Sequence, residues 1–217
     1  MTTIPLIFDI DGTLIDSEQL DSKYFVQAVR DVEGDIYISE DWSIYKKVTD
    51  LAILTEILHQ NDISDIDDHV AAIRTRFSKL LDIHFSDGGI CRPFPGVMDF
   101  LERVTADGRF TIGIATGGWR RSALQKLSAA GIDASDIPMS TSDDGEDRAE
   151  IMAHCLDKFT QTTMQPVYFG DGIWDSEASK QLGWRFVGIG RKLRGRCAPW
   201  FPDFSDNAAL LRFIETV

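Results

Sequence analysis

The sequence predicts an α/β protein, a parallel sheet with helices on its faces, interrupted once by a helical insert. Three observations carry this expectation. Short apolar runs recur along the chain, and the first of them ends in carboxylates, as a buried parallel strand does when its carboxyl end opens on a site. Stretches with helical spacing lie between the runs, an alternation that places helices on both faces of one sheet. From 17 to about 92 the alternation stops, and apolar residues repeat only at helical spacing.

The runs at 4–8, 110–115, 166–169 and 185–189 read as strands, with a less continuous one at 136–141. Helical patterns cover roughly 96–105, 119–130, 147–159 and 176–182, and Gly131 and Gly183 stand where helix C-caps belong. Within the insert, Leu20, Tyr24, Ala28 and Val32 form one stripe, and Ile66, Val70, Ile73, Phe77 and Leu80 form another. The punctuation Cys91-Arg92-Pro93-Phe94-Pro95-Gly96 marks the return to the sheet. The expected organisation is a core of 1–16 and 93–217 with a small helical cap of 17–92.

Composition excludes several function classes. A chain of 217 residues, 43% hydrophobic and 26% charged, buries a real core and carries no disorder signature. The first eleven residues include two carboxylates, which is not a secretory pattern, and no window approaches a membrane span, so a cytoplasmic protein is expected. The three cysteines are dispersed and do not suggest a zinc site. A formal net charge of -13 argues against nucleic acid as a partner. A phosphorylated metabolite would have to be met by a local positive site, in a monomer or a small homo-oligomer.

Four aspartates stand at the ends of two expected strands. Asp9 and Asp11 follow the first, and Asp171 and Asp175 lie in Gly170-Asp171-Gly172-Ile173-Trp174-Asp175. Carboxyl ends of parallel strands line the ligand crevice, so all four carboxylates can converge there. Such a cluster repels itself unless a hard cation neutralises it, and oxygen-only ligands favour Mg²⁺. The alternative for any one of them is a turn-forming aspartate beside a glycine.

On these residues the sequence resembles the haloacid dehalogenase superfamily of hydrolases, in its branch of phosphoglycolate phosphatases and β-phosphoglucomutases. Asp9-Ile10-Asp11-Gly12-Thr13-Leu14-Ile15-Asp16-Ser17 is similar to the first motif, Thr116 after Ile112-Gly113-Ile114-Ala115 to the second, and Gly170 through Asp175 to the fourth. The resemblance implies a Rossmann-like core with a helical cap and Mg²⁺-dependent phosphoryl transfer. It makes Asp9 the nucleophile and Asp11 the acid and base. Asp9, Asp11, Asp171 and Asp175 become the metal set, with Asp171 a direct ligand and Asp175 holding a metal-bound water or orienting neighbours. Thr116, Gly117 and Gly118 become the phosphate-binding strand end.

Two departures stand out. The third motif of the superfamily usually supplies lysine, whereas this chain offers Arg148, which either holds Asp9 and a phosphate oxygen or pairs on a helix surface with Asp144 or Glu150. Lys126 is the other cation on a helix leaving the crevice. The second departure is Gly118-Trp119, where many relatives carry a polar side chain. In the insert, Lys46, Lys47, Thr49 and Asp50 precede a helix and either contact substrate or serve as a solvated face and an N-cap. His59, His69, His84 and His154 are scattered and are assigned no chemistry.

The expected activity is hydrolysis of a small phosphomonoester through a phospho-aspartate at Asp9. A sugar-phosphate mutase uses the same aspartates, and a non-catalytic binding or regulatory protein would keep the fold alone. Dehalogenases of the superfamily lack the second aspartate of the first motif, whereas Asp11 is present.

Overall fold

The computed structural model describes residues 3–160 and 164–216. Its centre is β1 (Ile4–Phe8), flanked by β2 (Phe110–Ala115) and β4 (Val167–Gly170); with β3 (Met139–Ser140), β5 (Arg185–Ile189) and β6 (Trp200–Phe201) they form a six-stranded sheet of order β3-β2-β1-β4-β5-β6. Every pairing is parallel, and Phe8 lies in register with Ile114 on one side and Phe169 on the other. The period of two in β1 sends Leu6 and Phe8 to one face and Ile7 to the other. The first face is covered by α4 (Val97–Ala106), α5 (Arg120–Ala129) and α8 (Asn207–Glu215). The Phe8 and Phe169 rings stack there at 4.6 Å. The second face is covered by α6 (Arg148–Leu156) and α7 (Ile173–Leu182). This is the Rossmann-like α/β core the alternation predicts.

The insert consists of α1 (Glu18–Glu33), α2 (Asp50–Gln60) and α3 (Ile66–Ser86), packed round their own apolar cluster. Its entry and exit strands run side by side: Asp16 N–H donates to Arg92 O at 2.9 Å and Phe94 N–H to Leu14 O at 2.9 Å. One member of the insert's cluster comes from the sheet unit. Trp119, just before α5, is 1% exposed, stacks on Phe25 at 5.8 Å and meets the edge of Phe77 at 5.8 Å. Beside it α3 lies on α5, where Gln125 Nε2 donates to Ser78 O at 3.0 Å. The insert is therefore bolted to the sheet unit through apolar contact as well as through its two connections.

Several elements differ from the sequence expectation. The run at 136–141 yields only the two-residue edge strand β3 (Met139–Ser140), because Pro138 has no N–H to give a ladder. β6 (Trp200–Phe201) and α8 were not expected: β6 is too short for any periodicity, and α8 buries only Leu210 and Ile214. α7 starts at Ile173 and not at 176, so Trp174 and Asp175 sit in its first turn, where Asp175 Oδ2 accepts from Gly172 N–H at 3.0 Å.

Candidate active site

Asp9, Thr116 and Asp171 directly follow β1, β2 and β4, three adjacent parallel strands, so the sheet delivers them to one edge. Asp9 extends the ladder by one bond, its N–H donating to Phe169 O at 2.9 Å. The chain then turns back at Gly12, whose φ is +80°. A Cβ at Gly12 would stand 2.3 Å from Asp171 Oδ2, so the turn needs glycine both for its backbone and for the carboxylate beside it.

Asp9, Asp171 and Asp175 each offer one oxygen within 4.8 Å of the others, and all three are buried. Burial raises all three above the usual carboxylate range, Asp175 to about 7, and repulsion adds to the effect, from Asp11 at Asp9, from Asp175 and Asp9 at Asp171, and from Asp9 at Asp175. The local counter-charge is Arg148, at the start of α6. Its Nη1 lies 3.2 Å from Asp9 Oδ1 and its Nε 3.2 Å from Asp175 Oδ1, and Nη2 donates to Val48 O at 3.4 Å. Of the two sequence readings of Arg148, the structure takes the one at Asp9. The surface alternative is filled by other cations, since Arg120 and Lys158 hold Asp144 at 2.9 and 3.2 Å. Asp175 Oδ1 is buried without a hydrogen-bond donor, because the Arg148 Nε–H near it is not aimed at it. Three converging hard oxygens, one of them with spare acceptor capacity, fit a small divalent cation.

The carboxylate of Asp11 lies outside that group of three. It accepts from Ser17 Oγ and pairs with Lys126 Nζ at 2.6 Å. Lys126, on α5, has no exposed surface and also pairs with Asp21 of α1. Burial alone would push the Lys126 pKa down, but Asp11, Asp21 and Asp50 outweigh it and raise it. Asp21 is pushed up to about 6 by its own burial, and Asp50 well above its ordinary value by burial and by Asp21. Sequence reasoning missed Asp21 and undervalued Lys126. The available signal was a lysine between Ala123 and Leu127 on the helix face that the core buries.

Thr116 is 2% exposed, and its Oγ1 accepts from Gly118 N–H at 3.4 Å. A Cβ at Gly117 would come within 2.9 Å of both Arg148 Nη2 and Val48 O. Trp119 places its indole in the insert's core, not in the cleft, and its backbone N–H donates to Asp50 Oδ2 at 3.0 Å. Asp50 N–H in turn donates to Gly117 O at 2.8 Å, tying insert to strand end. Thr49 caps α2 by accepting from Ala52 N–H at 3.3 Å and donates to Glu146 O at 3.0 Å. Thr49 and Asp50 line a cleft of about 110 Å³ over Asp9, whereas Lys46 and Lys47 do not. Those two lysines border a separate groove with His59 and Glu146, and Lys47 pairs with Glu146 at 3.3 Å. Glu146, outside the cleft, holds Lys47 there.

The raised carboxyls give stability a definite pH dependence. An unfolded aspartate titrates at about 4, so between there and 6 to 7 the folded chain holds protons on Asp21 and Asp175 that the unfolded chain has lost. Their contribution is complete below about pH 4 and is lost as pH rises through 6 and 7. Urea unfolding in EDTA at pH 5 to 8 should show wild-type stability falling with pH and Asp175→Asn falling less steeply. Equal slopes would contradict this account of the site.

The family of haloacid dehalogenase-like hydrolases matches residues 6–189 of the chain. Among solved structures, a hydrolase from Pseudomonas syringae has a TM-score of 0.77 at 22% identity and covers 99% of each chain. CbbY from Rhodobacter sphaeroides, in complex with phosphate, has a TM-score of 0.76 at 19% identity, covering 94% of this chain and 96% of its own. A β-phosphoglucomutase from Clostridium difficile has a TM-score of 0.74 at 17% identity, covering 99% and 97%. A search of curated proteins gives no match. With motifs, sheet order and buried carboxylates in agreement with the match over 6–189, the chain belongs to the haloacid dehalogenase-like hydrolases, and it is an enzyme of that family.

Proposed function

We propose that the protein hydrolyses a small phosphomonoester in two steps, with the phosphoryl group carried on Asp9. The observation that supports this best is the buried Asp9 carboxylate, held by Arg148 at the edge of the central strand with Asp11 two residues beyond. An oxygen of Asp9 attacks phosphorus while the bond from phosphorus to the alcohol oxygen breaks, and the leaving oxygen takes its proton from Asp11. Asp11 then takes a proton from water, whose oxygen attacks phosphorus, releasing phosphate and restoring Asp9. Ser17 and Lys126 fix the direction of the Asp11 carboxylate for both transfers. Arg148 offsets charge at Asp9, and Thr116 and the amide of Gly117 hold phosphoryl oxygens. Asp9, Asp171 and Asp175 would hold Mg²⁺, which when bound neutralises part of the charge shared by the ester and the carboxylates.

In this reading residues 17–92 are the cap over a core of 1–16 and 93–217, and Thr49 and Asp50 are among the residues it contributes to the cleft. The phosphate in the Rhodobacter sphaeroides neighbour, and the xylulose-1,5-bisphosphate in another crystal of that protein, agree with a phosphate ester as substrate class. The β-phosphoglucomutase neighbour keeps a second reading open, in which the phosphoryl group returns to a sugar. Product analysis separates the two. We expect release of one inorganic phosphate per alcohol, dependent on Mg²⁺, stopped by EDTA and needing no bisphosphate activator. Turnover undiminished in EDTA would overturn the metal assignment, and isomerised sugar phosphate without free phosphate would favour the mutase.

Arg148 gives a second test. Its replacement by alanine should lower kcat at least roughly a hundredfold, the scale on which one preorganised electrostatic partner contributes in a dry site. Arg148→Lys should recover part of that loss by restoring charge without the planar fork. Near-wild-type kcat in both variants would remove Arg148 from the mechanism.

A further inference from the structure

We infer that the alcohol released from the ester is rich in hydrogen-bond donors and carries no negative charge, and that the cleft excludes esters whose leaving group bears a carboxylate or a second phosphate. This rests on the reading of Asp9 as phosphoryl acceptor, and it names the substrate class of that same cleft. The wall of the cleft supplied by the insert carries Glu18, Asp21 and Asp50 as acceptors, beside the aromatic rings of Phe25 and Trp42. Among the described residues lining the cleft, Arg148 is the one cation, and it faces Asp9 and Asp175, at the phosphoryl end.

The neighbouring cations are engaged elsewhere. Lys126 has no exposed surface, stands behind Asp11 and Asp21 and does not line the cleft. Lys192, outside the lining, pairs with Glu18 and lies 3.2 Å from Asp171 Oδ2. Lys46 and Lys47 border the other groove. A second anion entering the cleft would therefore lose its hydration beside Asp21 and Asp50 with no free positive partner. Hydroxyl or ammonium groups reverse the balance, because they donate to those same carboxylates and their carbon skeletons can lie on the aromatic faces. The inference also bears on the mutase reading, since returning a phosphoryl group to a sugar monophosphate passes through a bisphosphate, the type of molecule this wall repels.

A matched series on one two-carbon skeleton tests the inference: 2-hydroxyethyl phosphate, phosphoethanolamine and phosphoglycolate, which place a hydroxyl, an ammonium or a carboxylate at the same point. Each is assayed with Mg²⁺ as a substrate and as an inhibitor of p-nitrophenyl phosphate turnover, and glycerol 1-phosphate is paired with 3-phosphoglycerate in the same way. The expected result is that the hydroxyl and ammonium esters exceed their carboxylate partners by roughly a hundredfold in kcat/KM or in inhibition constant. Comparing the hydroxyl with the ammonium ester tells which donor the wall prefers. Asp21→Asn should narrow the carboxylate-to-hydroxyl ratio by roughly tenfold, and as a ratio it is insensitive to any general loss of activity. Carboxylate esters that match the hydroxyl esters, or a ratio unmoved by Asp21→Asn, would overturn the inference while p-nitrophenyl phosphate is still hydrolysed. Failure to hydrolyse any ester, p-nitrophenyl phosphate included, would instead overturn the underlying reading of Asp9, and this inference with it.

Discussion

Charge burial at the carboxyl edge of β1 governs this molecule. Asp9, Asp171 and Asp175 are almost withdrawn from water, and isolated carboxylates in such a place would neutralise themselves by taking up protons. Two buried cations keep the arrangement workable, and each serves a different set. Arg148 stands between Asp9 and Asp175, where its planar fork reaches both at 3.2 Å. Lys126 stands between Asp11 and Asp21, with Asp50 close enough to influence it. One side of the edge thus gathers three carboxylates round Arg148, and the other fixes the Asp11 carboxylate against Lys126.

The second cation also joins the two parts of the chain. Asp21 and Asp50 belong to the insert and Lys126 to α5, so the charge that orients Asp11 is shared across the boundary between them. Trp119 does the same with apolar surface, and the Asp50 carboxylate accepts the N–H of that same residue. The wall that the insert gives the cleft is coupled, through these contacts, to the Asp11 carboxylate.

What was legible in the sequence was local. The strand ending in Asp9-Ile10-Asp11-Gly12, the glycine-bounded Asp171 and Asp175, and Thr116 after β2 are short-range patterns, and the parallel sheet brings them together as expected. The partners of Asp11 were not legible. Ser17 lies six residues away, but Lys126 lies at a sequence separation of 115 from Asp11 and 105 from Asp21, and only tertiary packing unites them. Asp11 turns away from the other three carboxylates toward Ser17 and Lys126, and sequence spacing cannot tell which way a side chain leaves a tight turn. Lys46 and Lys47 border a separate groove, and the partner of Lys47 was not legible either, since Glu146 comes from a distant loop. Arg148 was legible as a candidate, and its choice of Asp9 and Asp175 over Asp144 was settled by where α6 begins.

In the proposed mechanism Asp9 becomes covalently phosphorylated. Wild-type enzyme quenched while turning over p-nitrophenyl phosphate with Mg²⁺, and then treated with borohydride, would have any acyl phosphate reduced to the alcohol. Peptide mass spectrometry would then read homoserine at position 9, with Asp9→Asn as the blank. Homoserine at position 9 in the wild type alone is the predicted result. Steady turnover with Asp9 unaltered, or reduction at another carboxylate, would contradict the account.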